Sequence, residues 1–429
     1  MKEKTIENNK LIYNKEVRIM NKAQELRFYL EALCVFDLKK DEVVASLLDL
    51  LQNINNEKVL EKQSAFFRNV TSHQSFASYV SKLILTDDNA FTKAAASGKA
   101  NELPTAVLNG VKSDLEKLEA IAFIKPEDIY NSIDNNDLRE VLKTLPAWES
   151  GEAVAPLKKD WASQIDTLTE YYKQNGYGMY SKYTAFTWRN HSLCPITSTD
   201  PITLSDLKNY ELQRKKVIDN TESFVNGYPS NNVLLYGDRG TGKSSTVHAV
   251  LNEYAKQGLR MIEISKSDIS DLTLIREFLA DSPMKFIIFI DDLCFDSHDD
   301  SFGELKAALE GSLSGRKHNT IIYATSNRRH LIKESFSDRE NDINRNDIMQ
   351  EQLSLSDRFG LSITFVNPDK KAYLDIVDKI AADRKLNVDT EKLHLIAEQW
   401  ASRKGGRSPR CAKQFIDFVE SAEMRGKEW

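Results

Sequence analysis

The sequence predicts an α/β protein, a parallel sheet covered by helices, with a mostly α-helical region before it and a small helical domain after it. Three observations carry that reading. Runs rich in Val, Ile, Leu and Phe at 233–236, 261–264, 286–290 and 321–324 alternate with helical stretches. They are almost continuously apolar, as strands buried on both faces are. A glycine-rich loop joins the first run to a helix, and beyond Pro368 the strands give way to helical periodicity.

Taken in order, residues 15–172 read as helix after helix. Apolar side chains fall at three and four spacing, as in Val44, Leu47, Leu48 and Leu51 and again in Phe76, Tyr79, Val80 and Leu83, a pattern of core packing. The interval from Pro146 to Pro156, with Gly151 inside it, predicts a hinge. Residues 176–188, GYGMYSKYTAFTW, are dense in aromatics and read as a strap packed against the next domain rather than as a base-stacking surface. The organisation expected is a helical region over 1–175, an aromatic strap over 176–200, an α/β domain over 201–367 and a helical lid over 368–429. Helices are drawn within the lid at about 369–384, 389–402 and 409–424, and a last strand at 361–366, by their apolar periodicity.

Composition bounds the function. With 429 residues, 41% hydrophobic and 28% charged, the chain has ordinary globular make-up and room for two or three domains. Its 58 Lys and Arg against 64 Asp and Glu leave a net charge of −6, so any nucleic-acid site must be a local patch. The four cysteines, Cys34, Cys194, Cys294 and Cys411, stand far apart without a CxxC pair, which fits reduced thiols and no zinc site. No leader-like or membrane-spanning apolar stretch is visible, so a soluble cytoplasmic protein without membrane insertion is expected.

The chemistry lies in the middle. Gly237-Asp238-Arg239-Gly240-Thr241-Gly242-Lys243-Ser244 satisfies GxxxxGK[ST] between a strand and a helix, the context a P-loop requires. Its glycines let backbone N–H groups and a helix N-terminus face a polyphosphate. Lys243 is placed to neutralise the phosphates, the Ser244 hydroxyl to ligate Mg²⁺, and Ser245 follows in the same turn. A second apolar strand, 285–290, ends in Asp291-Asp292. Asp291 is the expected holder of the metal shell and Asp292 the expected orienter of an attacking water.

The order P-loop, acidic strand end, then Ile321-Ile-Tyr-Ala-Thr-Ser-Asn327 resembles the AAA+ ATPases. The resemblance implies ATP and Mg²⁺ as cofactors and a set of catalytic groups. Asn327 matches sensor 1, which helps position water. Arg358, in LSLSDRFG, matches the arginine finger, which acts on a neighbour's nucleotide and so implies a homo-oligomer; pairing with Asp357 is the plain alternative. Arg410, in GRSPR, matches sensor 2 on the lid, with Arg407 as the neighbouring candidate. Leu207, in PITLSDLKNY, matches the segment that lies against adenine. Together these motifs look closest to the uncharacterised bacterial family domain of unknown function 815, over about residues 176–425.

Two departures from the family pattern stand out. The usual Asp-Glu pair is Asp291-Asp292 here, one methylene shorter. That sets the second carboxylate about an ångström further from a held water and leaves open slow turnover or a different part for Asp292. The family's Gly in the adenine segment is Asn209. The expected function is an ATPase whose nucleotide cycle moves the lid and a neighbouring subunit on an unknown protein partner. The alternatives are a slow ATP-dependent switch, or a DNA-associated relative of helicase loaders and replication initiators. For the last, Asp291-Asp292 and Thr325-Ser-Asn-Arg328 also look like those proteins, and Arg328, Arg329 and His330 offer a small basic patch, a solvated loop being the plain alternative. Separately, the polar stretch 334–352 reads as a solvated insertion at the subunit edge.

Overall fold

The computed structural model describes residues 20–295, 301–310, 319–327, 357–427 and 429. The basic patch 328–330, the insertion 334–352 and the residues just before Asp357 lie outside that set. Two compact units are present: one takes in residues up to Leu85 and Pro104–Leu168, the other Thr86–Leu103 and Thr169–Trp429. The division does not fall at residue 175, because residues 86–103, with the helix Ala90–Ala96, join the second unit.

The first unit is all helix among its described residues, with principal helices Lys22–Glu31, Glu42–Gln52, Val59–Val70, Phe76–Leu85 and Thr105–Ala122. Their stripes of Leu26, Leu30, Leu47, Leu50, Phe66, Phe76, Leu115 and Leu118 are buried. The fully buried Asp114 carboxylate accepts N–H bonds from Cys34, Val35 and Phe36 at 2.7–3.1 Å. It satisfies the donors of the turn that leaves the first helix. Asp41 caps the second helix by accepting from the N–H groups of Val43 and Val44.

The second unit is built on one seven-stranded sheet in the order β2-β1-β4-β5-β6-β3-β7. The strands are β1 Ala185–Arg189, β2 Ser192–Pro195, β3 Val233–Gly237, β4 Leu259–Ile264, β5 Lys285–Ile290, β6 Thr320–Ser326 and β7 Leu361–Phe365. All pairs are parallel except the β1–β2 hairpin. Helices α1 (Glu211–Val225), α2 (Lys243–Tyr254) and α3 (Leu272–Leu279) belong to the same unit. No helix among the described residues is long and apolar enough to cross a membrane.

The expected strap at 176–200 is corrected: it supplies β1 and β2, which extend the sheet beyond β4. Asn190 and His191 turn the hairpin with φ of 50° and 54°, the left-handed pair that a two-residue connection favours. Tyr180, just before β1, packs edge-on against Phe186 and Phe286. Beneath it the buried Arg260 of β4 donates to the carbonyls of Asn175, Tyr180, Ala255 and Leu259. Its charge is thus solvated by peptide dipoles, as a buried cation must be by something.

The lid consists of α4 (Lys370–Asp383), α5 (Thr390–Arg403) and α6 (Pro409–Met424), each within a residue or so of its expected bounds. Asp369, Asp389 and Ser408 cap them through the N–H groups of Ala372, Lys392 and Cys411, and Pro409 opens α6 where its missing N–H costs nothing. The three helices close on Tyr373, Ile376, Leu393, Phe415, Ile416 and Val419.

Candidate nucleotide site

The register of the sheet brings the motifs to one edge. Tyr236 of β3 lies beside Ser326 of β6, and Ala324 of β6 beside Ile290 of β5. The P-loop, Asn327 and the two acids therefore leave three adjacent parallel strands at their C-terminal ends, where ligands of open α/β sheets bind. Gly237 is needed where it stands: its φ is 130°, and a Cβ there would come within 2.0 Å of the Phe365 carbonyl.

At the phosphate end, Arg239, Gly240, Lys243, Ser244, Ser245, Asp291, Asp292, Asn327 and Arg410 line a cavity of about 350 Å³. The buried Lys243 ammonium donates to the carbonyls of Gly237 (3.0 Å) and Asp238 (2.7 Å) and to Asn327 Oδ1 (3.1 Å). Burial pushes its pKa below the usual lysine value, against the pull of Asp238, Asp292 and Asp291. Asn327 Nδ2 in turn donates to Asp292 Oδ1 at 2.5 Å, so one amide links the lysine to the second acid. Ser244 Oγ donates to Asp291 Oδ1 at 2.6 Å, and Thr325 Oγ1 donates to the same oxygen. The sequence names Thr325 only as part of the stretch that ends in Asn327, and the folded register is what gives its hydroxyl these partners.

The donor set suits a hard divalent cation. Among the described residues no group of three His, Cys, Asp or Glu forms a metal cage, and Mg²⁺ characteristically rests on one or two protein oxygens plus phosphates. Ser244 gives its proton to Asp291, which leaves its lone pairs for a metal.

The expected base end is a second cavity of about 750 Å³ between the lid and the segment before α1, lined among others by Leu207, Thr241, Ser245, Ile376, Ile380 and Arg410. Leu207 is half-buried, and the segment is fixed by Arg214, which donates to the carbonyls of Leu204 (3.0 Å) and Leu207 (2.6 Å). Asn209 has a φ of 68°, so this position asks for a left-handed residue, and Asn is among the few besides Gly that take it. Asn209 thus stands at a position where a glycine would be equally at ease. Lys208, also not anticipated, pairs with Asp383 of the lid at 2.6 Å.

The two lid arginines separate. Arg407 is held in a two-pronged pair by Glu398, at 2.9 and 2.7 Å, while Arg410 lines both cavities. The Arg410 N–H also donates to the Gly240 carbonyl at 3.1 Å, joining lid and P-loop. Arg358 is not brought to this site. It stands half-buried just before β7, whose Leu361 lies beside Val233 at the start of β3. The P-loop follows the other end of β3, about 13 Å away at about 3.3 Å per residue.

Comparison with known proteins places the chain in one family. A family profile described as "Protein of unknown function (DUF815)" matches residues 181–423. The replication factor C large subunit of Staphylothermus marinus is 41% identical over 69 residues, 16% of this chain and 16% of that one. A probable mitochondrial chaperone BCS1-A of Dictyostelium discoideum is 28% identical over 145 residues, 28% of this chain and 34% of that one. The chain thus spans only about a third or less of the curated relatives it matches. A Thermotoga maritima RuvB Holliday junction branch migration motor aligns at 18% identity over 53% of this chain and 67% of that one, with a TM-score of 0.36.

Proposed function

Because the chain belongs to the DUF815 family and its second unit is an AAA+ type P-loop domain, we propose that it binds ATP with Mg²⁺ and hydrolyses it to ADP and phosphate, coupling nucleotide state to the lid and to a neighbouring subunit. The observation that carries this reading is the convergence of Lys243, Ser244, Asp291, Asp292, Asn327 and the lid residue Arg410 on one cavity. Bound Mg²⁺ would supply charge neutralisation at the β and γ oxygens. The chain's own groups do the rest. The P-loop N–H groups cradle the phosphates, and Lys243 exchanges its carbonyl partners for them. Asn327, freed from Lys243, keeps Asp292 aimed at the water that attacks in line. Arg410 ties the lid to the phosphates in cis.

Arg358, remote from its own P-loop, is assigned to the nucleotide of a second copy, where a finger is worth about 10³ to 10⁵ in rate. ATP hydrolysis measured against protein concentration, for wild type and Arg358→Ala, tests the proposal. Specific activity rising with concentration and collapsing in the variant supports a shared site; flat activity indifferent to the variant refutes it.

A second reading, a slow ATP-dependent switch, draws support from Asp292, which is shorter than the usual Glu and already bonded to Asn327. Saturable ATP binding with turnover slower than one per minute would favour it.

A further inference from the structure

Thr325 makes contacts that nothing in the P-loop explains. It is the penultimate residue of β6 and only 2% exposed, and its hydroxyl serves both acids at once: it donates to Asp291 Oδ1 and accepts the Asp292 N–H at 2.9 Å. Its own carbonyl accepts the Leu293 N–H at 2.7 Å. Three consecutive residues of the strand end are thereby fastened to one threonine on the neighbouring strand. Asp292, between them, has a φ of 51°, a left-handed conformation that non-glycine residues keep only when their surroundings impose it. Here the imposing contacts are the Thr325 hydroxyl on the N–H and Asn327 on the carboxylate.

We propose that Thr325 is a positioning residue for the ATPase site, whose hydroxyl sets Asp291 for the metal and turns the backbone at Asp292 so that a carboxylate one methylene short still faces Asn327 and the phosphate cavity. This deepens the ATPase reading and rests on it. The geometry accounts for the residue type. A β-branched side chain suits the buried strand end, and the hydroxyl is a single group able to donate and accept at the same time. Valine keeps the shape and removes both bonds, leaving the Asp292 N–H without its partner; serine keeps both bonds.

The test compares wild type, Thr325→Val and Thr325→Ser as full-length chains. Affinity for a fluorescent ATP analogue is titrated with and without Mg²⁺, and kcat and KM for ATP are measured separately. The expected result for Thr325→Val is an unchanged metal-free affinity, a loss of about 10- to 100-fold in the affinity gained from Mg²⁺, the range seen for partners that orient metal ligands, and a matching fall in kcat. Thr325→Ser stays within about threefold of wild type on each, as retained hydrogen bonds require. Thr325→Val behaving as wild type, Thr325→Ser failing as badly as Thr325→Val, or metal-free binding lost in Thr325→Val would each overturn the proposal. A wild type that binds no ATP refutes the ATPase reading and this inference with it. A wild type that binds ATP but does not turn it over removes only hydrolysis, and the Mg²⁺ increment still decides the role of Thr325.

Discussion

The two ends of the candidate nucleotide site are built on opposite plans. At the phosphate end, Lys243, Ser244, Asp291, Asp292, Thr325 and Asn327 form a connected set of hydrogen bonds between the first turn of α2 and the ends of β5 and β6. At the base end, a cavity about twice as large is walled by a loop on one side and lid helices on the other, with Lys208 and Asp383 reaching across. The first is a continuous network of hydrogen bonds, whereas the second is bounded by two elements that one ion pair joins. Affinity should therefore concentrate at the phosphates, and the base end should tune it.

The largest expected break in that comparison is Lys243→Ala. Two charge-assisted phosphate bonds at about 1.5–3 kcal/mol each amount to a fall in ATP affinity of about 10²- to 10⁴-fold, read by calorimetric titration; a loss under tenfold would shift the weight to the base end. The same lysine predicts a pH signature. Burial lowers its pKa from 10.5, so as pH climbs toward that value the unfolded chain still binds a proton the folded chain has released. Ligand-free stability therefore receives a rising contribution from this group. Urea unfolding over an alkaline series should show it, and Lys243→Met should flatten it.

Gly240→Ala strikes the join between the two ends. Its φ is 76°, and the new methyl would meet Ser408 Oγ at 2.9 Å and Arg410 Cβ at 3.2 Å. The left-handed backbone alone costs about 1–2 kcal/mol, so the thermal midpoint should fall and protease cleavage around 404–408 should quicken. Leu207→Ala is milder: the half-buried side chain forfeits about 1 kcal/mol of apolar contact with a base. ATP affinity should drop about fivefold while triphosphate affinity stays put, and equal losses for both would show that Leu207 does not touch the base. Lys208→Ala is the smallest, about 0.2–1 kcal/mol for a pair whose acid stands open to solvent. It should speed nucleotide release in stopped-flow traces, and an unchanged release rate would detach the bridge from lid opening.

The sequence exposed the phosphate end because its groups lie in contiguous stretches, a glycine-rich loop and two strand ends, whose spacing is dictated by chemistry. The three lid helices were equally open to reading, since caps at Asp369, Asp389 and Ser408 coincide with the onset of apolar periodicity. What escaped depends on distant partners. β1 pairs with β4 across more than seventy residues of chain, and its two-faced burial erases the alternation that would announce a strand. Thr325 and Lys208 look ordinary until the register and the lid place Asp291, Asp292 and Asp383 against them. Asn209 reads as a departure in the sequence, and only the fold shows that its position has a positive φ, which Asn and Gly both tolerate.

The bond from the Arg410 N–H to the Gly240 carbonyl belongs to the main chain, not to any side chain. A substitution at either position can crowd it, but among natural amino acids only proline at 410 deletes the donor. The tether is therefore shielded from mutational drift: the arginine can be exchanged, and with it the charge offered to the phosphates, while the lid keeps its bond to the P-loop. Chemistry and mechanics are inherited separately at a single residue.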